Sequence, residues 1–265
     1  MIQIQISDPC DPRVAAYRDI RERDLVGRQG RFVAEGTVVL RHLIGNRRFA
    51  LESLLVLENR LGGLADVLPN VPADVPVYVA GREVLDAIAG FPMHRGVLAI
   101  GRRNVGPSME NLLDGLSNAA TLVVCIGIAN HDNMGAIFRN AAAFGADAIL
   151  LDRTSCDPLY RKAIRVSVGA ALKVPFHVFD DAEKLVDTLA CRGFQQLALT
   201  PTGGTDIRTV IRAPRTAIYL GAEGPGLPST LIERMIGARI SMAQDFDSLN
   251  VAAASAIALH CLASG

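Results

Sequence analysis

The chain of 265 residues carries 27 basic and 27 acidic side chains, and half of its residues are hydrophobic. This length and composition predict one or two folded domains with a sizeable core, and they exclude a disordered protein. Neutral charge argues at first against a nucleic-acid partner, because phosphate contacts need cations. The charge is unevenly divided, however. Residues 1–106 hold 14 basic and 12 acidic residues, a net +2, whereas residues 107–265 hold 13 and 15, a net −2.

The cationic side chains are mostly Arg, with 24 Arg against 3 Lys. Arg suits bidentate contact with phosphate, but a GC-rich coding sequence produces the same bias, and both explanations stay open. The five Cys are odd in number and form no C-x-x-C pair, so we expect free thiols and neither a disulfide framework nor a metal site. No leader segment and no membrane-spanning run of apolar residues is visible, which predicts a cytoplasmic protein without a membrane partner.

The first block of the chain, residues 1–106, alternates short strands with helices, which predicts a small α/β domain. Expected strands are Met1–Ser7, Arg31–Val33, Leu51–Leu57, Val75–Ala80 and Gly96–Gly101. Expected helices are Asp11–Asp24, Gly36–Ile44 and Arg82–Ile88. Gly106 and Pro107 mark the start of a linker, which we place at residues 107–118.

The second block, residues 119–265, repeats a strand–helix pattern that predicts a mainly parallel sheet covered by helices. Expected strands are Leu122–Ala129, Ala148–Leu151, Gln196–Leu199, Ala217–Leu220 and Ala238–Met242. Expected helices are Met134–Phe144, Tyr160–Leu172, Ala182–Arg192 and Pro228–Ile236. Ligands of such sheets bind beyond the carboxyl ends of the strands, so the loops after Ala129, Leu199, Leu220 and Met242 are the expected site.

The last predicted helix, Ser248–Ala263, is apolar or small on every face. Such a helix is buried all round, either in the domain core or partly against a second subunit. Ser248 is the expected N-cap of this helix. Asn250 has poor helix propensity at the start of an apolar helix, which indicates a specific hydrogen-bonding task.

Three strand-end segments contain polar residues and glycines that packing does not explain. They are Asn130–Gly145, Leu220–Leu227 and Ile240–Val251. Each has a purely structural interpretation. Asn133 or Asp132 can cap the following helix, and capping also explains the pair of Asn130 and Asn133. Arg139 can be a solvated side chain, and the glycines of the second segment can form a plain turn.

Taken together, the three segments resemble the three motifs of the SpoU (TrmH) family of RNA ribose 2′-O-methyltransferases, in the SPOUT superfamily. Their order, spacing and strand-end positions match. Arg165-Val-Ser167-Val-Gly169 resembles the family's intervening Arg-x-Ser-x-Gly segment. The resemblance covers roughly residues 119–265, and Gly30–Gly36 resembles the start of a ribosomal-protein-like substrate-binding domain.

The resemblance implies a catalytic domain with a deep trefoil knot, a homodimer, and S-adenosylmethionine bound in the knot. The residues it implies for cofactor binding are Thr200, Gly221, Ile240 and Leu249. The catalytic residues it implies are Arg139, Asn130, Ser248, Asn250 and Glu223. Arg139 would assist the 2′-hydroxyl, while Asn130, Ser248 and Asn250 would orient Arg139 or the RNA, and Glu223 would hold the Gly-rich loop or bind Arg139.

The implied RNA is a ribosomal or transfer RNA. Residues 13–31 hold six Arg and three acids, which indicates an RNA-contacting segment or equally a solvated helix face. The candidate RNA contacts are Arg18, Arg21, Arg23, Arg28 and Arg31. Ser241 and Gln244 stand where the family commonly has Pro and Gly. The alternative function is a non-catalytic RNA-binding protein that retains the methyltransferase scaffold.

Overall fold

The computed structural model describes residues 2–18, 22–90, 92–243, 245 and 248–263, without the side chains of residues 2 and 22–24. Two compact units make up the chain. The first joins Met1–Gly106 with Leu159–Leu172, and the second joins Pro107–Pro158 with Lys173–Gly265. Within the described ranges, no helix is long and apolar enough to cross a membrane.

The first unit is built on a mixed sheet of five strands in the order β1-β4-β3-β5-β2. Its elements are β1 (Ile2–Ile6), α1 (Glu22–Gln29), β2 (Arg31–Glu35), α2 (Thr37–Leu43), β3 (Phe49–Leu57), β4 (Pro76–Ala80), α3 (Arg82–Ala89) and β5 (Val97–Arg103). Strands β1, β4 and β3 run parallel, and β5 is antiparallel to both β3 and β2. The predicted strands of this block are therefore confirmed, with Met1 outside the described residues.

A close packing contact explains one glycine of this sheet. The Phe32 ring is fully buried and meets Phe49 edge to face, with ring centroids 5.3 Å apart. A Cβ atom at Gly101 would lie 2.3 Å from Phe32 Cζ. Two carbon atoms that are not bonded cannot lie 2.3 Å apart. The sheet therefore accommodates the Phe32 ring only because residue 101 has no side chain.

The helix predicted over Asp11–Asp24 is wrong in part. Pro12–Tyr17 forms a short 3-10 helix, and Arg18 then leaves it in an extended conformation. The buried Tyr17 hydroxyl lies 2.7 Å from Ser53 Oγ, so this short helix is fixed by a contact with β3. Helix α1 begins only at Glu22, and Asp19, Ile20 and Arg21 lie outside the described residues.

The second unit is built on a parallel sheet in the order β10-β12-β9-β11-β6-β7-β8. The elements that follow β5 in the chain are α4 (Met109–Asp114), β6 (Ala120–Cys125), α5 (His131–Ala143), β7 (Ala148–Asp152), α6 (Arg161–Val166), α7 (Ala170–Lys173), β8 (Phe176–Phe179), α8 (Ala182–Cys191), β9 (Gln195–Leu199), β10 (Thr205–Asp206), β11 (Arg215–Leu220), α9 (Ser229–Ile232), β12 (Ile236–Arg239) and α10 (Val251–Ala263). The predicted α/β class with a parallel sheet is confirmed.

Several boundaries differ from prediction. Met109–Asp114 is helical within the predicted linker, and β8 is a strand that the pattern did not indicate. The helix predicted over Pro228–Ile236 stops at Ile232, and its last residue instead opens β12. Short elements such as these carry too few residues for a periodic pattern to distinguish helix from strand.

The helix predicted over Tyr160–Leu172 is divided into α6 and α7. Val168 and Gly169 have φ angles of 54° and 84°, which a helix does not allow. A Cβ atom at Gly169 would lie 2.7 Å from His42 Cδ2, so the break coincides with close packing in the first unit. Helix α6 accordingly belongs to that unit, against β2.

Helix α10 packs on α5 through one face. Asn140 Nδ2 of α5 donates to the Ala252 carbonyl at 2.8 Å and to Ser255 Oγ at 2.9 Å. The opposite face of α10 is exposed at Ala253 and Ile257. Complete burial of this helix is therefore not achieved within one chain.

Candidate functional site

A cavity of about 400 Å³ lies at the carboxyl ends of β9, β11 and β12. Loops that are far apart in the chain form its walls. The lining residues are Leu199, Thr200, Pro201, Leu220, Gly221, Ala222, Glu223, Gly224, Gly226, Ile240, Met242, Ser248, Leu249, Asn250, Val251 and Ala254. All four predicted cofactor residues are among them, as are Ser248, Asn250 and Glu223 of the predicted catalytic set.

The Gly-rich segment forms one wall as a tight backbone loop. Gly226 N–H donates to the Ala222 carbonyl at 3.0 Å, and Gly224 and Gly226 have φ angles of 88° and 70°. A Cβ atom at Gly221 would lie 2.3 Å from both Gly226 C and Leu227 N. Because nothing in this turn can move away without unfolding it, position 221 needs glycine, and the wall presents backbone to the cavity.

One cluster of hydrogen bonds joins the three predicted motifs. Asn133 Nδ2 donates to Glu223 Oε1 at 2.5 Å. Asn250 Nδ2 donates to Asn133 Oδ1 at 2.9 Å and to Glu223 Oε1 at 3.2 Å. Asn133 is only 6% exposed, whereas Glu223 and Asn250 are exposed. The hydrogen-bonding task predicted for Asn250 is therefore observed, and Glu223 holds two amides.

Sequence reasoning missed Asn133, which it treated only as a possible cap of helix α5. A usable signal existed in the spacing of two amides on that helix. Asn133 and Asn140 are seven residues apart and so lie on one face of α5. Both amides reach the start of α10 or the residue before it. Polar residues repeated on an otherwise apolar face indicate a paired contact.

The predictions of helix caps have different outcomes for α5 and α10. Asn130 is the N-cap of α5, where its Oδ1 accepts from Asp132 N at 2.8 Å and from Asn133 N at 3.4 Å. At the start of α10, Asn250 Oδ1 accepts from Ala252 N at 3.0 Å and from Ala253 N at 3.3 Å. The prediction that Ser248 caps α10 is wrong because the helix begins later than expected.

Arg139 lies on the exposed side of α5 and outside the lining of the cavity. Its side chain makes no hydrogen bond or ion pair with the residues that the structure describes. Neither Asn130 nor Glu223 bonds to it in that part of the chain. The guanidinium is therefore available to a ligand at the surface of α5.

Asp152 holds the loop that leads from β6 to Asn130. Its Oδ1 accepts from Gly127 N at 3.0 Å and from Ser155 Oγ at 2.6 Å, and Ser155 Oγ in turn accepts from Ile128 N at 3.0 Å. Burial acts to raise the pKa of Asp152, but the hydrogen bonds from Ser155, Thr154 and Gly127 lower it below its ordinary value overall. The carboxylate is thus a charged anchor for the loop.

Ser241, one of the two departures from the family pattern, ties the third motif to the edge of the sheet. Ser241 Oγ donates to Asp206 Oδ2 at 2.5 Å, and Arg208 Nη2 donates to the same oxygen at 2.7 Å. Hydrogen bonds from Arg208 and Ser241 lower the pKa of Asp206 well below its usual range. Gln244, the other departure, lies outside the described residues.

The structure describes the side chains of three of the five predicted RNA-contacting arginines, Arg18, Arg28 and Arg31. Arg31 Nε is 2.7 Å from Glu52 Oε2, and Arg18 Nε is buried without a hydrogen-bond partner among the described residues. Arg28 lies in the last turn of helix α1. Arg21 and the side chain of Arg23 lie outside the described residues. Among the described residues, no group of three or more His, Cys, Asp and Glu is placed to hold a metal ion.

Comparisons with known proteins agree with this arrangement. The model of the SpoU rRNA Methylase family matches residues 120–260. An uncharacterized tRNA/rRNA methyltransferase of Mycobacterium bovis is 38% identical over 264 residues, which cover 96% of this chain and 90% of that protein. The 23S rRNA (guanosine-2′-O-)-methyltransferase RlmB of Bordetella pertussis is 29% identical over 69% of this chain and 76% of its own length.

Among solved structures, the AdoMet-bound rRNA methyltransferase from Sinorhizobium meliloti shares the fold with a TM-score of 0.83. The two are 24% identical, and the match covers 98% of this chain and 97% of the other. The family match spans more than half of the chain and includes all three strand-end motifs. The chain therefore belongs to the SpoU rRNA methylase family.

Proposed function

We propose that this protein transfers a methyl group from S-adenosylmethionine to a ribose 2′-hydroxyl of a structured ribosomal or transfer RNA. The observation that carries the proposal is the cluster of Asn133, Glu223 and Asn250, which fastens the three family motifs around one cavity. The names of the relatives, a tRNA/rRNA methyltransferase and a 23S rRNA guanosine-2′-O-methyltransferase, support the same reaction.

The cavity fits S-adenosylmethionine. Its volume of about 400 Å³ lies within the range of roughly 300–1,000 Å³ typical of small-molecule sites. The close approach of backbone at Gly221 leaves peptide groups to face a ligand there. Thr200, Gly221, Ile240 and Leu249 would hold the cofactor, whose sulfonium supplies the reactive methyl group. Ser241 would support that loop through Asp206.

Arg139 is the residue we assign to the ribose. A guanidinium is a poor general base, so Arg139 does not itself remove the hydroxyl proton. An exposed guanidinium without a partner among the described residues instead suits the phosphate beside the target ribose, where it polarises the 2′-hydroxyl while the proton leaves to water. Asn130, Ser248 and Asn250 would orient the RNA, and Glu223 would hold Asn133 and Asn250.

We extend the proposal to the assembly. The exposed apolar side of α10 at Ala253 and Ile257 supports a homodimer, because such a face is stabilised when a partner covers it. The insertion of β12 between β9 and β10 supports a trefoil knot. Residues 1–106 would form the RNA-binding domain, and residues 119–265 would form the catalytic domain that transfers the methyl group. Residues 107–118 would link these two domains. The ribosomal or transfer RNA substrate supports a cytoplasmic location.

The experiment that tests the proposal is transfer of tritiated methyl from S-adenosylmethionine to purified rRNA and tRNA, with calorimetry of cofactor binding alongside. Incorporation at a ribose, mapped by primer extension at low nucleotide concentration, is the expected result. Arg139→Lys and Arg139→Ala should both lose most activity while binding the cofactor normally. The lysine ammonium is a point charge and cannot make the paired N–H contacts that a guanidinium makes with a phosphate. Near-full activity of Arg139→Lys would refute the bidentate role.

Cofactor binding without incorporation into either RNA would instead favour the alternative function, a non-catalytic RNA-binding protein. Thr188 provides a control for the assay. It lies partly exposed on α8, and its hydroxyl donates to the Lys184 carbonyl. Thr188→Ala should keep wild-type incorporation, and a loss there would mean that the assay reports general damage to the fold.

A further inference from the structure

A second cavity, of about 480 Å³, lies wholly within the first unit. Its lining residues are Glu35, Pro92, His94, Arg95 and Arg165. Glu35 is the last residue of β2, Arg95 precedes β5, and Arg165 lies on α6. The cavity therefore joins two distant parts of the sequence, and none of its cationic residues is among the five arginines that sequence reasoning selected.

A buried carboxylate organises this cavity. Glu35 is 6% exposed, and its Oε2 accepts from Arg161 Nε at 3.1 Å and from Arg161 Nη2 at 3.0 Å. A buried carboxylate needs such a partner, because an unpaired charge in the interior costs several kcal/mol. Arg161 and Glu35 thus neutralise each other and hold α6 against β2.

The two arginines that line the cavity are held less closely than Arg161. Arg95 Nε forms a long ion pair with Glu35 Oε1 at 4.0 Å, Arg95 Nη1 donates to the Glu35 carbonyl at 3.5 Å, and the Arg95 side chain is about half exposed. Arg165 lies one helical turn after Arg161 on the same face of α6. It is exposed, and its side chain makes no hydrogen bond or ion pair with any described residue. Arg95, Arg165 and the neighbouring Arg161 carry three positive charges against the one carboxylate of Glu35, which gives a formal charge of +2 with His94 neutral.

We propose that Arg95 and Arg165 bind a backbone phosphate of the RNA in this cavity. Planar guanidinium groups bind phosphate oxygens through paired N–H donors, and these two come from separate segments that Glu35 and Arg161 hold in place. The cavity has room for a phosphate with its ribose. This inference rests on the proposed function, since it places a substrate contact in the first unit.

The test measures the salt dependence of RNA binding by the full chain, with wild type, Arg165→Ala and Arg95→Ala. Loss of one phosphate contact should flatten the slope of log K against log salt by about 0.7–0.9. Arg165→Lys keeps the charge and should recover most of the slope. Arg41→Ala is the matched control, because Arg41 belongs to the same unit but its Nη2 is already paired with Asp66 Oδ2 at 2.5 Å.

Equal slopes for Arg165→Ala, Arg95→Ala and Arg41→Ala would overturn the proposal. Calorimetry with inorganic phosphate separates a small-anion site from an RNA site. Arg165-dependent phosphate binding with an unchanged RNA slope would also overturn it. Thermal unfolding tests whether Arg95→Ala is still folded. Arg165→Ala supplies the second, independent variant, because the Arg165 side chain makes no hydrogen bond or ion pair with a described residue.

Failure of this inference is distinguishable from failure of the proposed function. Methyl transfer by the wild-type protein tests the function alone. If the wild type methylates RNA and the slopes do not change, only the phosphate site is wrong. If the slopes change in a protein that never methylates RNA, the phosphate site is supported and the proposed methyltransferase activity is wrong. If both hold, Arg165→Ala should raise KM for RNA more than it lowers kcat.

Discussion

Asn133→Ala tests whether the amide cluster organises the cofactor cavity. The substitution removes one hydrogen bond to the Glu223 carboxylate and one from Asn250. A bond to a charged group contributes about 1.5–3 kcal/mol and a neutral one about 0.5–1.5 kcal/mol. Glu223 and Asn250 are exposed, so water can replace the lost partner, and the lower value of each of these two ranges applies. We expect the free energy of unfolding to fall by about 2 kcal/mol.

A loss of this size is measurable in two ways. Thermal unfolding should show Tm lower by about 4–8 °C, at about 2–4 °C per kcal/mol for a unit of this size. Calorimetry should show the Kd for S-adenosylmethionine raised by tenfold or more. The reason is that the Gly-rich loop and the start of α10 lose the contact that preorganises them, and 1.4 kcal/mol corresponds to a factor of ten.

Asn140→Ala is the matched control, because it removes the same kind of amide from the same helix. Asn140 Nδ2 bonds the Ala252 carbonyl and Ser255 Oγ, away from the cavity. We expect a similar loss of stability with no change in cofactor affinity. Equal effects of the two variants on Kd, or no effect of Asn133→Ala, would refute the idea that this cluster shapes the site.

Three further predictions follow from the same loops. Gly221→Ala should abolish cofactor binding, measured by calorimetry, because the new Cβ would lie 2.3 Å from backbone atoms; normal binding would contradict the description of that turn. Ser241→Ala should raise KM for S-adenosylmethionine more than it lowers kcat, and Ser241→Thr should restore it by keeping the hydroxyl on Asp206. Asp152→Ala should destabilise the protein by about 1–3 kcal/mol in denaturant titrations near pH 7. Because the folded pKa of Asp152 is lowered, its contribution is full above the ordinary value of 3.8 and is lost as pH falls through the lowered pKa, so wild type and variant should converge in acid.

Local sequence patterns predicted most of the strands, though not β8, and they predicted the polar loops at the strand ends. Apolar runs marked β6, β7, β9 and β11 because strands covered on both faces need apolar residues at every position. The same patterns misplaced short elements. The 3-10 helix at Pro12–Tyr17 and the start of α10 at Val251 depend on contacts with β3 and α5, which no local window contains.

The sequence by itself determined the α/β class, the parallel sheet, and the three polar segments at strand ends, since these follow from periodicity and from the chemistry of glycine and amide side chains. Only the tertiary structure decided which side chains meet. Asn133 and Glu223 are 90 positions apart, and Asn133 and Asn250 are 117 apart. Arg165, sequentially inside the second block, lines a cavity of the first unit. Such pairings depend on strand order and on where helices break, and these are set by packing between segments that are distant in the chain.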